Sequence, residues 1–299
     1  MDIRQGENTV RVKAGVRRLV AVVGALVAVT GIASGASASA DPRPGLEYVN
    51  LGDSFSAGSG VSPIIPSQPL PCWQSGANFS HIVAAELGYR LTDVSCGGAK
   101  TDDFYRAQYP GTRPQLEALT PTTELVTLMI GGNNNDTFAG AMASCIGAMV
   151  LHPGAFDPCR AQYGNSLTAP ILTKTYPALV TALHDIHAKS PRARVLIAGY
   201  PLLLPASGSC APQMPIAEGD VGYLRDLQTT LNDAVKRAAE ATDSTYVDMA
   251  QASEGRDGCK PVGQRLVEPM IFANQPVPVH PNADGERALA NQVMAAIGQ

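Results

Sequence analysis

From residue 46 to the C-terminus, short β-prone runs alternate with helix-period apolar stripes, and this alternation constrains the fold more than any other feature. Candidate strands cover 46–51, 91–95, 124–130, 194–198 and 245–249; most are rich in Val, Ile, Leu or Tyr, as buried parallel strands tend to be. Between them, Phe79, Ile82, Val83 and Leu87 form one helical stripe, and Leu224, Leu227, Leu231 and Val235 another. A third runs through Leu172, Tyr176, Leu179, Val180, Leu183 and Ile186, and a last helix from about Asn282 carries Leu289, Val293 and Ile297. Strand and helix in alternation imply an α/β fold with a parallel sheet covered on both faces.

Long loops are expected at 60–75, 149–165, 201–219 and 251–279, and stretches of that length in a compact domain usually shape a binding site. The first 40 residues read as a leader instead. Arg11, Lys13, Arg17 and Arg18 precede the apolar run 19–32, and small residues end at Ala38-Ser39-Ala40, the pattern of a secretory signal cleaved before Asp41. The apolar run is short for a membrane span. A single domain at 41–299 and a secreted protein follow. Five of the 22 Lys/Arg and two of the 26 Asp/Glu lie in the leader, leaving 17 and 24 and a net charge of −7, which argues against a nucleic-acid partner. Six cysteines (Cys72, Cys96, Cys145, Cys159, Cys210 and Cys259) in an exported chain point to disulfides; several connectivities are open, and no pair has the spacing of a CxxC metal site.

Three of four short motifs directly follow candidate strands: Gly52-Asp53-Ser54 the first, Gly97-Gly98 the second, Gly131-Gly132-Asn133 the third. The fourth, His280-Pro281, precedes the last helix. In a doubly wound sheet, ligands bind beyond the carboxyl ends of the strands where strand order reverses, so the first three would converge there. A serine hydroxyl is a weak nucleophile until an imidazole takes its proton. Ester cleavage also needs preorganised donors for the oxyanion. The Gly98 N–H, the Asn133 side-chain amide and the Ser54 N–H suit that task, and His280, near a helix N-terminus, would be a neutral base.

Each motif alone has a plainer reading: a turn, a tight glycine turn, a polar loop, a surface histidine. Their order and their places after strands override those readings. His184 and His187 lie three apart on a helix without a third ligand and read as a solvated face, while His81 and His152 belong to no motif. Trp73, beside Cys72, reads as core packing.

These residues resemble the SGNH (GDSL) hydrolases, specifically their secreted actinomycete-type lipases and esterases. Gly52 to Gly58 matches the nucleophile block, Cys96 to Ala99 the oxyanion glycine block, Ile130 to Asn133 the asparagine block and His280-Pro281 the base block. The resemblance implies a flavodoxin-like three-layer α/β/α sandwich with a five-stranded parallel sheet, sequential disulfide pairing, and no metal or other cofactor. Two departures stand out. Many members carry an Asp three residues before the histidine, where this chain has Val277; the Val277 carbonyl is expected to accept from His280 Nδ1 instead, with Asp284 a poorly placed acid. Asn134 stands where relatives often have Asp, and a structural effect only is expected.

The chain is therefore read as a secreted serine esterase or lipase, acting through an acyl-enzyme on Ser54 with His280 as general base. Its partner would be a small-molecule or lipid ester met by a monomer, with no nucleic acid and no stable membrane span. Leu202, Leu203, Leu204 and Met214 favour a lipid or other acyl ester. Acetyl-polysaccharide esterase, phospholipase or acyltransferase would use the same residues, and a non-catalytic secreted binding module is the alternative from another class.

Overall fold

The five candidate strands pair with one another in parallel. A computed structural model describes residues 44–66 and 69–298; the expected leader lies outside the described residues. Strands β1 (Glu47–Gly52), β2 (Arg90–Asp93), β3 (Leu125–Met129), β4 (Arg194–Ala198) and β5 (Thr245–Val247) form one sheet in the order β2-β1-β3-β4-β5. Register pairs Val49 with Val126 and Val126 with Val195, so the three central strands stack their branched side chains side by side. Every residue of β3 is buried, whereas β2, at the edge, alternates exposed and half-buried residues.

Helices cover both faces, as right-handed crossovers require. Helix α2 (Phe79–Leu87) packs against α8 (Ala283–Ile297) in one layer, while α5 (Tyr176–Lys189) packs against α6 (Glu218–Ala241) in the other. The expected stripe of α6 is the buried one, with Leu224, Leu227, Leu231 and Val235 facing inward. The α5 stripe needs one change. A π-helical turn at Ile171–Thr175 precedes α5, and its extra residue rotates Leu172 out to 48% exposure while Ile171 takes the core position.

The segment 149–165 is not the long loop expected. It holds the end of α3 (Thr137–Leu151) and all of α4 (Pro158–Tyr163). The fully buried Asp220 accepts from the N–H groups of Cys159 (2.9 Å) and Arg160 (2.9 Å), satisfying the start of α4. Disulfides join Cys72 to Cys96, Cys145 to Cys159 and Cys210 to Cys259, the sequential pairing. The second ties α3 to α4. Two four-residue helices, α1 (Ser54–Ala57) and α7 (Met249–Ala252), follow β1 and β5 directly.

Candidate active site

The Ser54 corner is fixed by backbone bonds at the end of β1. Gly52 has φ of 119°, and any Cβ there would collide with the Met129 carbonyl of β3. The buried Gln115 amide holds both sides of Gly52, accepting from its N–H (2.7 Å) and donating to its carbonyl (2.9 Å). Asp53 then donates its N–H to Met129 O (2.9 Å) and caps α1 by accepting from the Phe55 N–H (2.9 Å). Ser56 Oγ accepts from the Met129 N–H at 2.8 Å. Ser54 therefore opens a short helix anchored to two strands, with its side chain turned to the rim of the sheet.

Two further turns come up beside it. Gly98 (φ 76°) sits in the turn closed by Ala99 N–H to Cys96 O (3.1 Å), and Cys96 N–H donates to Gly52 O (3.0 Å), which docks this turn on the end of β1. Asn133 follows β3; its Nδ2 donates to Ala99 O at 3.1 Å, which joins the asparagine turn to the Gly98 turn. Among the described residues no protein group accepts from the Ser54 or Gly98 N–H. Asn134 bridges the same two segments, accepting from Thr101 N–H (3.0 Å) and donating to Thr101 Oγ1 (2.7 Å), a structural role as expected.

His280 reaches Ser54 from the other end of the chain. Its Nε2 lies 2.7 Å from Ser54 Oγ, and its Nδ1 lies 2.8 Å from a backbone carbonyl. A carbonyl can only accept, so Nδ1 carries the proton and Nε2 is free to take the serine hydroxyl's. That carbonyl belongs to Pro278, not to Val277 as the sequence implied. Val279 takes φ of 59°, so the chain doubles back immediately before the histidine and presents the carbonyl two residues earlier; the Val277 carbonyl instead accepts from Gln275 Nε2 at 3.0 Å. Asp284 is exposed on the first turn of α8 and makes no bond to the ring. Burial lowers the His280 pKa below its ordinary 6.5, and the Pro278 carbonyl opposes that shift. Burial therefore favours the neutral imidazole. It also pushes Asp53 up to about 7, against the Tyr200 hydroxyl and the N–H groups of Phe55 and Ser56, which favour its charged form.

Ser54, Asn133 and His280 line one cavity of about 320 Å³. Beyond them its walls are apolar: Phe138, Ala139, Met142, Ala143 and Ile146 from α3, facing Leu203 and Met270. A profile of the GDSL-like lipase/acylhydrolase family matches residues 51–288. The chain belongs to that family.

Relatives of this GDSL-family chain agree with the assignment. It is 50% identical over 281 residues to Lipase 2 of Streptomyces coelicolor, covering 93% of this chain and 95% of that one. In three dimensions it resembles phospholipase A1 from Streptomyces albidoflavus NA297 and an extracellular lipase from Streptomyces rimosus, each with TM-score 0.70, 25% identity, 84% of this chain covered and 99% of the other. As a member of the family it is a carboxylic-ester hydrolase of the lipase and esterase kind, built on the expected five-stranded parallel sheet.

Of the loop residues expected to favour a lipid, Leu202, Leu203, Leu204 and Met214 are all buried, and only Leu203 lines the cavity. The apolar wall comes mainly from α3, which the sequence reading missed. Its run from Thr137 to Leu151 has no polar face, and Gly140 and Gly147 lower its helix propensity, so it lacks the periodic signal that marked α2 and α6. Also unforeseen is the support of the histidine loop, where Glu268 is buried beside Arg265 (2.5 Å), accepts from Asn274 N–H (2.7 Å) and receives Asn282 Nδ2 (3.1 Å). Burial works against the Glu268 carboxylate, but these partners outweigh it and hold its pKa below the usual value. His187 bonds Ser244 Oγ (2.9 Å) and is half-buried, not a purely solvated face; no cluster of three His, Cys, Asp or Glu suited to a metal occurs among the described residues.

Proposed function

We propose that Ser54 and His280 form a catalytic dyad that hydrolyses acyl esters through an acyl-enzyme. His280 Nε2 takes the Ser54 proton as Oγ attacks the ester carbonyl, and the Nδ1 proton stays shared with the Pro278 carbonyl, which orients the ring in place of a carboxylate. The oxyanion meets the Ser54 N–H, the Gly98 N–H and the Asn133 amide; His280 then returns the proton to the leaving alcohol, and water repeats the sequence to release the acid. The 2.7 Å contact between Ser54 Oγ and His280 Nε2 carries this reading.

The acyl group lies along α3. A cavity walled by Phe138, Met142, Ile146, Leu203 and Met270 offers an acyl chain a place out of water and offers a sugar almost no polar partner, which favours lipid-like esters over acetylated polysaccharide. A non-catalytic binding module is disfavoured, since its support was the missing aspartate and the Pro278 carbonyl stands in for it. The chain works as a secreted monomer without a cofactor, its single domain at 41–299 released by cleavage of a leader at 1–40. The leader pattern supports export, as does one structural relative described as an extracellular lipase. Among the described residues no helix is long and apolar enough to cross a membrane.

A chain-length series of nitrophenyl esters tests the substrate reading. Turnover should rise from acetyl to medium and long acyl chains, and Ala143→Trp, which fills the wall, should abolish that rise while sparing acetate. A wild-type enzyme that prefers acetate would contradict it.

A further inference from the structure

Tyr200 belongs to none of the four motifs, yet it touches the segments that carry Ser54 and Asn133 and the α3 wall of the cavity. It follows β4, is fully buried, and is held by Asn232 of α6, whose Oδ1 accepts from its N–H (2.8 Å) and whose Nδ2 donates to its carbonyl (2.9 Å). Its ring stands edge-on to Phe55 (5.0 Å between centroids) and to Phe138 (4.9 Å). Phe55 in turn lies 4.8 Å from the His280 ring. The hydroxyl makes two bonds at once. It donates to Asp53 Oδ2 at 2.5 Å and accepts from the Gly132 N–H at 2.8 Å.

Those two partners are the residues immediately before Ser54 and Asn133. We propose that Tyr200 is a positioning residue: its hydroxyl, bonded to Asp53 and Gly132 together, sets the spacing between the Ser54 turn and the Asn133 turn. The inference rests on Ser54 as nucleophile and Asn133 as oxyanion donor. The spacing matters because an oxyanion donor acts only when it lies close to the position where charge develops, and small displacements cost rate. Among the described residues no other group in the site spans both turns in this way. The Asn133 bond to Ala99 reaches the Gly98 turn, and the Ser56 bond to Met129 reaches β3 ahead of the glycines. Without the hydroxyl, the buried Gly132 N–H and the buried Asp53 carboxyl would each lose a partner, and each turn would be free to relax separately.

Tyr200→Phe tests this, because it removes one oxygen and keeps the packing on Phe55 and Phe138. With nitrophenyl butyrate, and with active sites counted by a serine-reactive phosphonate, kcat should fall about tenfold, the equivalent of one hydrogen bond, while KM stays within about twofold. Asp53→Asn is the second variant, should the first fail to fold. Asn keeps the α1 cap but turns the acceptor facing Tyr200 into a donor, and it should give the same split. In the double variant the losses should not multiply, since both changes break one bond. Wild-type kcat per active site in whichever single variants fold, a loss confined to KM or to the melting temperature, or losses that multiply would overturn the inference. A wild-type enzyme that cleaves no ester would instead overturn the dyad on which it rests.

Discussion

At the Ser54 corner, the backbone from Gly52 to Ser56, the Ser54 N–H aside, is bonded to β3, to Gln115 or within the turn; at the His280 loop, between α7 and α8, the chain runs without regular structure and is held by a few backbone bonds to 266–268 together with buried charged and polar side chains. The corner depends on glycine geometry and main-chain hydrogen bonds. The loop depends on the buried Arg265–Glu268 pair, on Asn282 bonded to both Glu268 and the Arg265 carbonyl, and on an isolated bridge between Val267 and Pro281. Two kinds of scaffold thus present the two halves of one hydrogen bond. The corner tolerates little change in backbone, and the loop tolerates little change in charge.

Substitutions on either side sharpen that contrast. Ser54→Ala and His280→Ala should each reduce turnover by about 10⁴-fold or more, and the double variant should be scarcely worse, because the two act as a unit. Multiplying losses would mean that they do not act together. Glu268→Gln leaves Arg265 buried without its counter-charge and should lower stability by about 3–5 kcal/mol, read as a shifted denaturant midpoint. A midpoint within error of wild type would show that the loop is held by something else. Asn133→Ala, which removes a proposed oxyanion donor on the corner side, should cost about 10²–10³ in kcat while lowering stability by no more than about 1.5 kcal/mol, the loss of its bond to Ala99.

Smaller effects distinguish the atoms within the loop. Because burial holds the His280 pKa below 6.5, the rate should persist below that pH and decline only as the ring protonates at lower pH; a decline centred above 6.5 would contradict the neutral buried base. Val277→Ala should change kcat by less than about twofold, since the Val277 carbonyl serves Gln275 and the histidine is propped by Pro278.

The corner was legible in the sequence because its chemistry is local. Gly52-Asp53-Ser54 encodes a strand end, a cap and the proposed nucleophile within three residues, and the doubly wound arrangement expected of alternating strands and helices brings Gly98 and Asn133 alongside. The loop was legible only at its end. His280 could be named, but the carbonyl under it was misassigned by one residue, because the positive φ of Val279 leaves no mark in a sequence where any residue but glycine is unexpected there. Glu268 and Arg265, three apart in a stretch without periodicity, carry no signal of burial. Helix α3 escaped for a different reason: a helix without a polar face, one side of which lines the cavity, shows no amphipathic stripe. Tyr200 lies at the end of the run after β4, and its two partners are distant in sequence.

The meeting of corner and loop is the central claim, and labelling by a serine-reactive phosphonate tests it most directly. Mass spectrometry of the labelled wild-type chain should find one adduct, on the peptide carrying Ser54, formed rapidly, and His280→Ala should slow its formation by orders of magnitude. An adduct on another residue, or labelling of Ser54 at the same rate with and without the imidazole, would contradict the account.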